Sequence, residues 1–573
     1  MEDIIIPEKK ARTFLPENFK VSDWEAVKPY FDDLLQRNIQ SAAELRRWFK
    51  DRSELEAVLS ENLAWRYIKM TCDTTNEKIR ESYNEFITQI QPRIEPVSNE
   101  LNQKALQSPF LEELKQEGGY PIMIRELEKE AKIYREANIA LKTEEQQEAQ
   151  NFGAISGNMS VEIGGQEMTL QQAANLLQSV DRVEREDAYR KITSRRLQDK
   201  DKLDALFSKL VSIRDSIGKN AGFENYRDYM FAAMGRFDYS KEDCFNFHEA
   251  VAKEVVPMLN DLAKERKASL ALDRLRPWDK SVDTSGKPPL KPFTSGNELT
   301  VKTIECFSKL DPYLGERIAI MQAMGHLDLE SRKGKAPGGY NYPLAEIGVP
   351  FIFMNATSNL RDMVTIMHEG GHAVHSFLTR DLELNNFKHT PSEVAELASM
   401  SMELISMDHW DLFFTDEDNL KRAKRQHLEQ IIETLPWVAT IDKFQHWVYE
   451  HPGHTLEERK KAWNEIFGTF SDSITDWAEL EDERSYLWQK QLHLFEVPFY
   501  YIEYGFAQLG AVAVWKNYKA NPKKGLDGYK NALKIGYTRT IPEVYEAAGI
   551  KFDFSTEYIR SLMYFVKDEL SKI

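Results

Sequence analysis

Cysteine is scarce in this chain. Three in 573 residues, Cys72, Cys244 and Cys306, make an odd, widely spaced set with no CxxC pair. They fit neither a disulfide framework nor a cysteine zinc site and suit free thiols in a reducing compartment. Apolar runs are short as well, and none reaches the length that spans a bilayer, so no membrane segment is expected. The amino terminus lacks a basic segment followed by a long apolar core, so no signal peptide is expected and the cytoplasm is the expected compartment. Positive charge is in deficit, with 75 Lys and Arg against 92 Asp and Glu for a net charge of -17. A nucleic-acid partner is therefore not expected, since phosphate binding is driven by lysine and arginine.

With 42% hydrophobic residues the chain can bury a large core and split into more than one unit. From Trp24 to Lys142 apolar and charged residues recur at helical spacing, punctuated by Pro29, Pro92, Pro96 and Pro121. β signals are few. Alternation over Met159–Ile163 and Gln166–Leu170 around Gly164-Gly165 predicts a hairpin, with Thr169 and Gln172 as a capping box for the following helix. Residues 280–296 read as a surface loop, and helices are expected from Thr300 to about Met324. A soft boundary near residue 190 divides an amino-terminal helical region, 1–190, from a second region, 191–573.

The informative stretch is His368-Glu369-Gly370-Gly371-His372, an HExxH sequence. The run from Asp362 to Leu378 has no proline and sets Met363, Ile366, Met367, Val374 and Phe377 near helical intervals, which predicts a helix. Positions four apart share a face, so His368 and His372 can present their imidazoles to one metal ion. Zinc suits that pair, and a catalytic zinc takes three protein ligands and leaves a position open. Glu369 points elsewhere around the helix and is placed to take a proton from the attacking water.

A third ligand is expected downstream. A metzincin would carry a glycine three residues after His372 and a histidine three further on. His375 and Leu378 stand there, which excludes that class. Pro391–Ser399 opens a second helix in which two carboxylates compete. Glu393 lies in the first turn, where a carboxylate favours the helix dipole. Glu396 has Ser399 and Glu403 on its own face to orient it, and is the expected ligand. His375 is expected to support the site or pack in the core. His451 and His454 flank a Pro-Gly turn, and the capping box Thr455/Glu458 accounts for that segment without a metal.

Lys333–Tyr340 is rich in glycine but lacks the spacing of a phosphate loop, and 347–355 after it reads as a strand, so nucleotide binding is rejected. Gly338-Gly339-Tyr340 followed by Pro350–Asn355 instead suggests a loop and an edge strand able to hold an extended peptide by main-chain hydrogen bonds.

The HExxH motif, a glutamate twenty-eight positions after His368, and the Glu396/Glu403 spacing together resemble the thimet oligopeptidase and oligoendopeptidase F family of zinc peptidases. The family usually has a bulky apolar residue where this chain has Gly370, followed here by Gly371. The resemblance implies a mainly α, zincin-like, two-lobed body with a deep substrate channel and a small β-sheet beside the active-site helix. It implies one zinc ion held by His368, His372 and Glu396, with Glu369 as general base. It also implies that the stretch His493–Gly505 supplies a histidine and tyrosines that face the zinc, of which Tyr504 and His493 are carried over and Tyr500 or Tyr501 is a further candidate. The function implied is hydrolysis of short peptides by a metalloendopeptidase. The alternatives are a carboxypeptidase or dipeptidase on the same zinc site, or a catalytically silent peptide-binding protein.

Overall fold

A computed structural model describes residues 4–332, 334–336 and 338–573. Met1–Asp3 and two residues of the glycine-rich stretch, Lys333 and Pro337, lie outside the described residues. Among the described residues the chain is mainly α, with five short strands: β1 (Ser160–Ile163), β2 (Gln166–Thr169), β3 (Leu327–Glu330), β4 (Tyr340–Tyr342) and β5 (Phe351–Ala356). It forms two compact units, each assembled from three chain segments. The first comprises Met1–Lys132, Lys291–Ala423 and Gly510–Phe552; the second comprises Ile133–Leu290, Lys424–Leu509 and Asp553–Ile573. Among the described residues no helix is long and apolar enough to cross a membrane.

In the first unit the amino-terminal helices bury Phe31, Leu34, Leu45 and Trp48 together with Leu384 and Phe387 from the middle segment. Trp48 meets its one polar requirement by donating from Nε1 to the Leu34 carbonyl at 2.9 Å. The three-stranded sheet has the order β3-β5-β4, with β3 parallel and β4 antiparallel to β5. The expectation of an edge strand over 350–355 is corrected here: β5 is central. Phe351, Ile352, Phe353 and Met354 are all buried, as a strand covered on both faces requires. The edges are β3 and β4, and neither strand is expected from the sequence. Lys335 pins the glycine-rich stretch to the sheet, its ammonium donating to Asp328 Oδ1 at 2.8 Å and to the Asp328 and Glu330 carbonyls at 3.0 and 2.9 Å.

In the second unit β1 and β2 form the expected hairpin, and Gly164 and Gly165 take the positive φ of 60° and 76° that its turn needs. The capping boxes at Thr169/Gln172 and Thr455/Glu458 are both present. The aromatic stretch 493–505 is not one helix. Helix Leu492–Glu496 stops, Phe499 sits at φ 68°, and a new helix, Ile502–Ala520, begins. A left-handed phenylalanine is strained, so its surroundings must hold it. Its amide donates to Gln445 Oε1 at 2.6 Å, and its carbonyl accepts from Arg236, which also pairs with Glu503.

Candidate active site

The motif helix runs Leu360–Thr379. Asn359 caps it, accepting from the Asp362 amide at 2.9 Å while the Asp362 carboxylate accepts from the Thr357 and Asn359 amides. Met363, Ile366, Met367, Val374 and Phe377 are buried, and His368 and His372 lie partly open on another face. A second helix, Ser392–Ser406, carries Glu396 and Glu403.

Donor atoms of His368, His372 and Glu396 lie within 4.8 Å of one another. Glu396 Oε2 is 3.3 Å from His368 Nε2 and 3.7 Å from His372 Nε2. Ser399 holds Glu396 by donating its hydroxyl to Oε2 at 3.0 Å. Glu403, expected to help Glu396, instead meets His368 Nδ1 at 2.6 Å. A hydrogen on Nδ1 directed at that carboxylate leaves the Nε2 lone pair facing Glu396 and His372, the arrangement that fixes a metal-ligating histidine.

Charge explains the rest. Burial tends to raise the Glu396 pKa, but the His368 hydrogen bond and the charge of His372 outweigh it and hold the carboxyl at about 2. Burial pushes His372 down to about 4. Burial also acts to lower His368, yet Glu396 and Glu403 overcome it and hold the imidazole well above its ordinary value. The two carboxylates therefore demand a positive charge between the helices, and a divalent cation would meet that demand. Two imidazole nitrogens and one carboxylate oxygen suit zinc. Glu369, adjacent in sequence and buried, does not join the cluster. Its backbone carbonyl accepts from the Asn341 side chain on β4 at 3.3 Å, and burial, reinforced by the nearby carboxylates, pushes its carboxyl up to about 7.

The two helices approach closely because the motif carries glycine. A β-carbon on Gly371 would meet Ser399 Cα at 2.6 Å and the Ala398 carbonyl oxygen at 2.7 Å; one on Gly370 would meet the Phe307 ring at 2.6 Å. Gly371 is thus required by packing against the glutamate helix. From the other side, Tyr529 and Tyr545 donate their hydroxyls to the carbonyls of Ala398 and Glu393 and hold the glutamate helix by its backbone.

His493, Tyr500, Tyr501 and Tyr504 belong to the second unit. The His493 ring centroid lies 6.2 Å from that of Tyr500, 4.7 Å from Tyr501 and 5.8 Å from Tyr504. Trp437 Nε1 donates to Gln491 Oε1 at 3.0 Å, which turns the Gln491 amide nitrogen toward His493 Nδ1 at 2.7 Å. Nδ1 therefore accepts, and neutral His493 carries its hydrogen on Nε2. His375 is a core residue, pushed down to about 3 by burial. His451 and His454 are tied into their turn through the Trp447 and His451 carbonyls, and Arg459 donates to His454 Nε2.

A sequence profile described as Peptidase family M3 matches residues 175–564, and one described as Peptidase M3 N-terminal domain matches residues 14–134. The oligoendopeptidase F homolog of Borreliella burgdorferi is 26% identical over 292 residues, covering 49% of this chain and 48% of that protein. Oligopeptidase PepF of Bacillus subtilis is 24% identical over 338 residues, covering 58% and 49%. The chain thus matches about half the length of these curated relatives. The solved structure of PZ peptidase A with inhibitor 2 superposes with a TM-score of 0.90 at 26% identity, over 98% of this chain and 99% of that one.

Proposed function

The chain belongs to peptidase family M3, and from that premise we propose that it is a zinc-dependent metalloendopeptidase acting on short peptides. The observation that carries this reading is the convergence of His368, His372 and Glu396 with Glu369 buried beside them. His368, His372 and Glu396 would hold one zinc. When bound, zinc supplies Lewis-acid polarisation of the scissile carbonyl and lowers the pKa of the attacking water. Glu369 takes the proton of that water on its carboxylate and later delivers it to the leaving amine nitrogen, and a pKa near 7 suits both transfers. Glu403 and Ser399 keep His368 and Glu396 in place. The resemblance assigns the tetrahedral oxyanion to Tyr504, with His493 or a neighbouring tyrosine. The cytoplasm is the proposed compartment, in keeping with three cysteines that form no disulfide.

Mass spectrometry of the products from peptides of graded length tests the reading. Internal cuts that stop on chelation and return with zinc are expected. Trimming confined to one end would replace the endopeptidase with an exopeptidase. Failure of the zinc-loaded protein to cut any peptide would leave a binding protein.

A further inference from the structure

Among the described residues, one other set of three side chains brings metal-ligating atoms within 4.8 Å of one another: Cys244, Asp442 and His446, all in the second unit. We propose that these residues form a second, structural metal centre for zinc or a similar thiophilic divalent ion, with His248 orienting Asp442.

Two facing helices supply the donors, each at a four-residue spacing that puts both side chains on one face. Cys244 and His248 stand on helix Lys241–Glu254, and Asp442 and His446 on helix Glu417–Glu450. The cluster is sealed from water: Cys244 and Asp442 are 0% exposed, His248 and His446 2%. Phe245, Phe231 and Phe499 pack edge-on against the His446 ring, and Phe470 packs against His248.

As a hydrogen-bond network the cluster is incomplete. His248 Nε2 donates to Asp442 Oδ2 at 2.9 Å, which is one good bond. His446 Nε2 lies 3.2 Å from the same oxygen but has no hydrogen-bond partner, so it is close to the carboxylate without being aimed at it. Asp442 Oδ1 is also without a partner. In the catalytic cluster His372 Nε2 and Glu396 Oε2 stand 3.7 Å apart. Ligands converging on one tetrahedral ion stand about 3.3–3.8 Å apart, from metal–donor lengths of about 2.0–2.3 Å.

Charge and ligand type agree with a divalent ion. A buried carboxylate is costly unless compensated. A thiolate from Cys244 and the Asp442 carboxylate would neutralise a dication, with His446 as a neutral third ligand and the second carboxylate oxygen available as a fourth. The mixed sulfur, nitrogen and oxygen set suits zinc. No CxxC spacing announces it, because its ligands lie almost two hundred positions apart in sequence.

The test is metal analysis and cobalt(II) substitution of the full-length protein. Sulfur-to-cobalt charge transfer in the near ultraviolet reports this centre alone, because the other cluster contains no sulfur. Expected are two metal equivalents and that band in the wild type. In His372→Ala, one equivalent should remain with the band intact; in Cys244→Ser, one equivalent should remain without it. A cobalt protein lacking the band overturns the proposal at any stoichiometry, and so does a band that survives Cys244→Ser. A band with a single equivalent in the wild type upholds this centre and tells against the catalytic metal instead. Should Cys244→Ser fail to fold, the wild-type spectrum decides alone.

Discussion

A β-carbon on Gly371 would lie 2.6 Å from the α-carbon of Ser399, closer than two such atoms can stand. The glycine therefore sets the distance between the motif helix and the helix carrying Glu396. Gly371→Ala should push them apart and loosen the ligand set. Overpacking of this kind costs about 1–3 kcal/mol, read as a lower melting temperature together with reduced zinc content. Gly370→Ala meets the Phe307 side chain rather than the backbone of the Glu396 helix, so it should lose less zinc. Full zinc in Gly371→Ala would show that the spacing is not critical.

Glu396→Ala should strip the zinc, whereas Glu393→Ala should retain it, because only the Glu396 carboxylate reaches both imidazoles. Glu403→Gln removes the carboxylate that meets His368 Nδ1. Loss of such a support typically weakens metal affinity about 10–100-fold. Competition with a graded chelator measures all three. Equal affinity in Glu403→Gln and wild type would reduce Glu403 to a bystander.

Glu369→Gln is isosteric and contributes no metal ligand, so zinc content should stay at the wild-type level. Turnover should fall at least about 10²–10⁴-fold, the usual contribution of a general acid or base. Peptide cleavage near the wild-type rate by a zinc-loaded Glu369→Gln protein rules out the proposed proton path.

What was legible in the sequence was local. The motif helix, the hairpin at Gly164-Gly165 and the caps at Thr169 and Thr455 are set by residues within a few positions of one another, and all are present. The ligand spacing was legible for the same reason, since two imidazoles four apart need only a helix. What escaped depends on partners distant in the chain. Strand 351–356 could not be told central from edge without knowing that both β3 and β4 pair with it. Lys335, a residue of the rejected phosphate loop, is a buried cation that also donates to the Met354 carbonyl on β5, nineteen positions away. Gly371 costs the helix locally, whereas its benefit, close approach of the Glu396 helix, comes from a distant segment.

The helix break at Phe499 likewise depends on distant partners, and it bears on the oxyanion assignment. Gln445 and Arg236 hold Phe499 from far along the chain, and the break sets Tyr500 and Tyr501 ahead of the helix that carries Tyr504. If Tyr504 only packs against His493, then Tyr504→Phe keeps the ring and should leave activity unchanged. If its hydroxyl meets the oxyanion, kcat should fall roughly 10²–10³-fold. KM should move little, because that bond strengthens mainly in the transition state. Tyr500→Phe and Tyr501→Phe, assayed beside it, identify which neighbour shares the role. Since Gln491 leaves the His493 hydrogen on Nε2, His493→Gln, which retains a donor, should be less damaging than His493→Ala. Wild-type kcat in Tyr504→Phe would return the tyrosines to a packing role and leave the oxyanion to be met by other groups.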